Sequence, residues 1–331
     1  MAQGWHFKSR PGGLPTHDNF ELKALPDVAL GDGQIRVANS WLSVDPYMRG
    51  RMNDTKSYVP GFALGEVMQG GAVGRITESR AEGFAVGDLV MHMLGWRDEA
   101  IVETARPTAA QKLPELGVPD QTWLHNLGLT GATAYFGLLK TAEAKAGDIV
   151  FVSAAAGAVG MAVVQIAKQK GMTVIGSAGG ADKCAWVKEL GADACIDYKA
   201  GPVRPQLISA APKGIDVYFD NVGGEHLDAA FATARDWARF AICGMIDVYN
   251  DGKPMELKYL IRTIPARIRM QGFIFTDYIA HMGEFMGEMA PWVLGGQIKA
   301  RETVNQGLGS SIDAFLGLFS GQNTGKMLVK L

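Results

Sequence analysis

Between Ile149 and Lys183 the apolar and small residues fall in blocks whose order predicts strand, turn, helix, strand and turn. Ile149-Val150-Phe151-Val152 is a continuous apolar run, as expected of a strand covered on both faces. The block Ala154-Ala155-Ala156-Gly157-Ala158-Val159-Gly160 then opens a helical stretch through Lys168, and Met172–Gly176 is a second apolar run. This is a βαβ unit with a tight turn before its helix. Further along, Lys183–Leu190 reads as a short helix closed by Gly191. Apolar runs at Ala194–Lys199, Gly214–Gly223, Phe240–Gly244 and Met270–Phe275 alternate with helical spacing, the pattern of a doubly wound parallel sheet. Leu129–Leu139 has helical apolar spacing and leads into the first of these strands.

Residues 1 to about 125 have a different texture. Gln34–Trp41 alternates as a half-buried strand does; Gly65–Met68, Gly70–Thr77 and Val86–Met91 read as short strands separated by glycines. Val44–Gly50 begins as a turn at Asp45-Pro46. So many short strands predict a small barrel or sandwich. The last stretch, from about Ile298, is expected to return to this first part as a helix and a strand. The expected organisation is α/β, a Rossmann doubly wound sheet over 126–298, with 1–125 and 299–331 forming a β-rich domain packed against it.

The turn after the first strand carries chemistry. Gly157 removes a Cβ where a backbone approaches a pyrophosphate, Gly160 lets the helix pack on the strand, and the first helical N–H groups face an anion. The first glycine of the usual G-x-G-x-x-G is Ala155 here. At the end of the second strand NAD-binding chains place a carboxylate on the ribose. Here Gly176, Ser177, Ala178 and Gly179 are followed by Asp182 and Lys183. Small residues leave room for a 2′-phosphate and the lysine supplies charge, so NADP(H) is favoured over NAD. The competing reading makes Lys183 an ordinary solvated lysine.

Composition narrows the partners. The 331 residues exceed one ordinary domain, and a net charge of −2 offers no basic field for nucleic acid. Cys184, Cys195 and Cys243 make an odd count without CxxC spacing, which points to a reducing compartment. With no apolar signal segment after Met1 and no run of 18 apolar residues, the expectation is a cytoplasmic protein with no membrane partner.

Val44–Arg49, Gly95-Trp96, Leu129–Gly137, Ala154–Gly160, Ile196–Lys199, Cys243-Gly244 with Tyr249-Asn250, and Asn323–Lys326 together carry a resemblance. The chain resembles the medium-chain dehydrogenases/reductases, and within them the zinc-free, NADPH-dependent double-bond reductases of the prostaglandin reductase and curcumin reductase type. The likeness spans essentially the whole length and implies a GroES-like barrel for the β-rich domain. It implies that Gly157, Ala158, Val159 and Gly160 hold the pyrophosphate. Lys183 and Tyr198 would hold the 2′-phosphate, with Ala156 and Gly179 as further cofactor contacts. Thr130, Asn221, Cys243, Gly244, Met245, Ile246, Tyr249, Phe273, Ile274, Phe275 and Asn323 would line the rest of the cofactor. For Tyr198 the alternative is a solvated strand tyrosine, and for Asn221 a left-handed turn residue.

No cysteine precedes Cys184, and a Gly-His-Glu histidine is missing at Gly65-Glu66, so no zinc ligand set is expected; His92 and His125 read as ordinary histidines. The implied reaction is reduction of the carbon–carbon double bond of an α,β-unsaturated aldehyde or ketone. Charge develops on the carbonyl oxygen, and a phenol can stabilise it. Tyr249 is the first candidate and Tyr47 the second. Tyr47, Met48, Trp96, Tyr249, Phe275 and Tyr278 are the expected substrate contacts. Asp247 stands where the animal relatives are expected to carry a small hydroxylic residue, a change that bears on substrate preference. Two alternatives stay open: a quinone reductase, and a non-enzymatic NADPH-binding protein. A homodimer is implied by the resemblance alone.

Overall fold

The computed structural model describes residues 1–105, 110–250 and 254–331. The chain divides into two compact units: Met1–Leu124 with Glu302–Asn323 and Met327–Leu331, and His125–Arg301 with Thr324–Lys326.

The first unit opens with β1 (Gln3–Phe7), β2 (Phe20–Ala24) and β3 (Gln34–Ser43). The Asp45-Pro46 turn becomes a single helical turn, α1 (Tyr47–Gly50). Then come β4 (Ala72–Ser79), β5 (Leu89–His92), β6 (Glu99–Glu103) and β7 (Ala110–Lys112). The second unit contributes α2 (Leu129–Phe136), β8 (Ile149–Val152), α3 (Ala158–Gln169), β9 (Thr173–Ala178), α4 (Ala181–Glu189) and β10 (Ala194–Asp197). It continues with α5 (Val203–Ala210), β11 (Ile215–Asp220), α6 (Gly224–Thr233), β12 (Ala234–Ile242), β13 (Arg269–Gly272) and α7 (Met282–Leu294). The chain closes with β14 (Glu302–Gln306), α8 (Ser311–Phe319) and β15 (Lys326–Lys330).

In the second unit the strands run β10-β9-β8-β11-β12-β13, all parallel. Strand order reverses beside β8, which places the switch point of a doubly wound sheet at the glycine turn. Both faces are covered, so β8 needs no polar alternation: Val150, Phe151 and Val152 are fully buried. Phe151 stacks on Tyr218 at 5.1 Å, and Phe231 and Phe240 complete the same core.

In the first unit β14-β15-β3-β4-β5-β7 form a mixed sheet with β6 on β3. Its core is built from Phe7, Phe20, Phe62, Trp96 and Phe315. The C-terminal return has two strands rather than one. Gly65–Met68 is not a strand: it follows β1 through Phe7 N–H to Glu66 O and Met68 N–H to Trp5 O, both 2.9 Å, with one bridge from His6 to Val67. A left-handed Gly65 (φ 82°) turns the chain there and prevents a ladder. The sixth strand of the parallel sheet stops at Gly272, and Phe273 begins the turn beyond it. No helix among the described residues is long and apolar enough to cross a membrane.

His92 is part of this framework. Its Nδ1 accepts the Leu94 N–H at 3.1 Å and Nε2 pairs with Asn39 Oδ1 at 2.9 Å, a pattern that fits one neutral tautomer. Burial, with Arg97 nearby, pushes its pKa down to about 3; burial alone takes His226 down to about 4. The unfolded chain binds protons that these folded rings refuse, so the contribution of the two rings to stability is nearly flat above about pH 6.5 and falls below it. Each ring is expected to cost about 1.4 kcal/mol at pH 5.5. Denaturant titrations at pH 5.5 and 7.5 measure this, and a His226→Gln variant should have the shallower pH dependence.

Candidate functional site

The carboxyl edge of the parallel sheet gathers the candidate residues of the second unit. After β8, Ala154 takes a left-handed conformation (φ 48°) and the Ala155 N–H reaches Ser177 O at 2.8 Å. The strained residue is therefore Ala154, and Ala155 fits where the motif usually has glycine. Its methyl lies under Gly176, where an added Cβ would come within 2.8 Å of it. Gly160 is fixed by packing, since a Cβ there would meet Ala154 O at 2.2 Å. Gly157 caps α3 without a side-chain hydrogen bond, and a Cβ on it would find only Ala154 O, at 3.2 Å. The first turn of α3, with Ala158 and Val159, thus presents backbone amides beside open space, the form of an anion cradle. Behind it, Gly325 N–H donates to Ala156 O at 2.7 Å, and Gly157 bridges to Gly325.

The end of β9 has the character expected of a 2′-phosphate corner. A Cβ on Gly179 would stand 2.5 Å from Tyr198 Oη and 3.1 Å from Lys199 Cε, so both side chains cover this glycine. Lys183, half-buried on α4, has its pKa lowered by burial and then by the charge of Lys199. Two ammonium groups and a phenol therefore share one corner. Asp197, the nearby carboxylate, is used by the turn: its Oδ1 accepts from Gly180 N–H (2.8 Å) and Lys199 N–H (2.9 Å). Lys199 was not singled out from sequence; its position next to Tyr198 was the available signal. Neutral His226 supports the phenol edge-on at 5.5 Å and bonds Ser177 Oγ at 2.8 Å.

A third group follows β11 and β12. Asn221 is not left-handed; its Nδ2 donates to Ser153 O and its N–H to Ser153 Oγ, each at 2.8 Å. It ties the end of β11 to the end of β8. Thr130 Oγ1 on α2 is buried and has no hydrogen-bond partner among the described residues, as a group awaiting a ligand would be. In the Cys243–Tyr249 loop, the Met245 N–H donates to Tyr249 Oη at 3.2 Å, and the phenol lies over Gly244, 3.0 Å from where a Cβ would stand. Burial and the neighbouring Asp220 push the Cys243 thiol up to about 12, which disfavours a thiolate there. Ile246 opens a short turn that carries Asp247 to Gly224: the carboxylate is 2.3 Å from a Cβ built there. Asp247 thus places its charge at the N-terminus of α6, which accounts for an acid at this position.

Phe273 seats on Gly137, where a Cβ would be 2.2 Å from its ring, and meets Phe219 edge-on. The Ile274 N–H donates to Asp277 at 3.3 Å, and Phe275 starts the following 3-10 turn half-buried. Tyr278 is used by packing: its ring stacks on Phe136 and its hydroxyl pairs with Thr141 at 2.8 Å.

In the first unit Tyr47 begins α1, and its Oη is buried without a partner among the described residues. Burial, then Asp45, holds its phenol well above the usual range. Met48 and Trp96 are corrections. Both are core residues, 0% and 1% exposed; Met48 Cε and Trp96 Nε1 crowd Gly70, and Trp96 meets Phe315 edge-on at 6.0 Å. Neither presents a wall to a substrate. Asn323 is half-buried just before Thr324–Lys326, the segment that joins the glycine turn. Among the described residues no group of three or more His, Cys, Asp or Glu side chains is placed to hold one metal ion.

Comparison with known proteins gives two family matches: an N-terminal domain of oxidoreductase over residues 3–110, and a zinc-binding dehydrogenase over residues 158–291. The chain is 41% identical to the NADPH-dependent curcumin reductase of Escherichia coli, over 99% of this chain and 96% of that protein. It is 38% identical to the NADP(+)-dependent 2-alkenal reductase of Nicotiana tabacum, over 96% and 94%. Among solved structures, CurA from Vibrio vulnificus in complex with NADPH superposes with a TM-score of 0.93 at 40% identity, covering 99% of this chain and 98% of that one.

Proposed function

The chain belongs to the medium-chain dehydrogenase/reductase family, and from that membership we propose that it is an NADPH-dependent reductase of the carbon–carbon double bond in α,β-unsaturated aldehydes and ketones. The observation that carries the cofactor is the corner at Gly179, where Lys183, Tyr198 and Lys199 converge and the nearby Asp197 carboxylate accepts the Gly180 and Lys199 N–H groups.

Bound NADPH supplies a hydride for the β-carbon of the substrate. The amides of Gly157–Gly160 hold the pyrophosphate, and the two lysines with Tyr198 hold the 2′-phosphate. Thr130, Asn221, the Cys243–Tyr249 loop and Phe273–Phe275 line the ribose and nicotinamide, with Asn323 as a further contact. As the β-carbon is reduced, the substrate carbonyl oxygen gains enolate charge. We assign the Tyr249 hydroxyl, which accepts the Met245 N–H, as the donor of a hydrogen bond to that oxygen; a proton then reaches the α-carbon. Tyr47 is the second candidate, because its buried hydroxyl has a donor to offer. Phe275 supplies apolar contact.

The direct test follows NADPH absorbance with an alkenal, a dienone such as curcumin, and a quinone in parallel. Turnover of the first two is expected. Turnover of the quinone alone would make the protein a quinone reductase, and binding without turnover a non-enzymatic NADPH-binding protein. Tyr249→Phe should lower kcat on the order of 10²-fold, the scale of one lost oxyanion donor, with NADPH affinity changed less; unaltered kcat would remove Tyr249 from the chemistry.

We also propose a homodimer through the β13 edge. All four β13 residues are exposed, and Trp237, Ile261 and Ile264 stand open at 68%, 68% and 72%. An unpaired edge strand beside apolar surface is a ready-made pairing site. Light scattering should give twice the chain mass for the native protein and a monomer for Ile264→Asp. Three free thiols without a disulfide fit a reducing, cytoplasmic setting.

A further inference from the structure

Asp220, at the carboxyl end of β11, is 0% exposed and lies at the centre of the sheet edge described above. Four donors converge on its Oδ1: Tyr218 Oη at 2.6 Å, Val222 N–H and Gly223 N–H at 2.8 Å, and Ser153 Oγ at 3.1 Å. Its Oδ2 is buried with no partner among the described residues. Its own carbonyl accepts the Cys243 and Gly244 N–H groups at 2.9 and 3.0 Å. One residue thus touches the ends of β8, β11 and β12, the three strand ends assigned to the nicotinamide side. The charge itself is notable. Burial raises its pKa above the usual carboxylate value, while the four donors on one oxygen pull it back down and favour the carboxylate, since a neutral acid would need an acceptor for its proton. No lysine or arginine makes a salt bridge to it among the described residues.

We propose that ionised Asp220 is a buried counter-charge that favours the oxidised, positively charged nicotinamide ring over the reduced, neutral one. This rests on the cofactor reading above. Oxidised and reduced NADP carry the same phosphates, so every contact to the phosphates cancels in the ratio of their affinities. What remains is the charge of the ring, and a fixed negative charge in a low-dielectric floor acts on that difference. Hydride donation creates the positive ring, so the same charge assists the forward reaction at no reorganisation cost.

The test is equilibrium binding of NADP+ and NADPH to the full chain, read by tryptophan fluorescence or calorimetry. Asp220→Asn keeps the shape and an acceptor at Oδ1 while removing the charge. It should weaken NADP+ relative to NADPH on the order of tenfold, which for a two-electron couple is a shift of about 30 mV. Ser153→Ala cuts a strut of the same network and keeps the charge; it should change both affinities by the same factor. If Asp220→Asn lowers both affinities equally, or neither, the carboxylate only ties the loops together and the proposal is overturned. Should Asp220→Asn fail to fold, the native protein still decides: NADP+ should bind at least as tightly as NADPH, and NADPH held more than about tenfold tighter would overturn the idea. A native protein that binds neither form would overturn the cofactor reading itself.

Discussion

Lys183→Ala is expected to lower kcat/KM for NADPH by roughly 10- to 100-fold and to leave kcat/KM for NADH nearly unchanged, the scale of one lost charged hydrogen bond of about 1.5–3 kcal/mol. Lys183 lies half-buried on α4, and burial, then the charge of Lys199, lowers its pKa, so two like charges repel in this corner. A 2′-phosphate relieves that repulsion and takes hydrogen bonds from both, whereas the ribose of NADH offers only a neutral hydroxyl. Lys199→Ala should act in the same direction with a smaller loss, because Lys199 is more exposed and better screened. Tyr198→Phe should cost about 1 kcal/mol, as for a single neutral donor. Steady-state kinetics with both cofactors on the three variants reads this out. An equal loss with NADPH and NADH from Lys183→Ala would mean that the lysine supports α4 and not the phosphate.

The parallel sheet was legible because its signals are local. A strand buried on both faces has to be apolar throughout, and the turn after β8 needs glycine where α3 packs on Ala154. At the proposed phosphate corner the small residues 176–179 and Lys183 are local signals, whereas Tyr198 comes only through the family resemblance and Lys199 carries no signal of its own. What failed depended on distant partners. Met48 and Trp96 are as apolar as any pocket wall, and their burial is decided by Gly70 and Phe315, which no local pattern reveals. The segment Gly65–Met68 has strand composition, but its pairing with β1 is broken by the backbone at Gly65. Tyr278 reads from sequence as a substrate contact, and its ring and hydroxyl are engaged by Phe136 and Thr141. Asp220 was the deepest omission. As a letter it is one more acid at a strand end, and only the fold brings Ser153, Tyr218 and the 222–223 amides to a single oxygen.

Gly325→Ala is expected to destabilise the protein by about 4 kcal/mol, the sum of a left-handed strain and a backbone collision. Gly325 has φ 73°, and a Cβ built on it would stand 1.8 Å from Arg301 O. That carbonyl cannot swing aside freely, because it accepts the Lys326 N–H at 2.9 Å. Relief must therefore come from moving the 324–326 segment, which breaks the 2.7 Å bond from Gly325 N–H to Ala156 O. The damage then reaches the glycine turn, so NADPH affinity should fall along with stability. Gly307→Ala separates strain from contact. Gly307 has nearly the same φ, 74°, and a Cβ there meets nothing within 4 Å. It should cost about 1 kcal/mol and leave cofactor affinity alone. Denaturant unfolding and NADPH titration of the two variants make the comparison. If they unfold at the same denaturant concentration, the Arg301 carbonyl does not constrain residue 325, and the Asn323–Lys326 segment is not the strut that holds the phosphate turn.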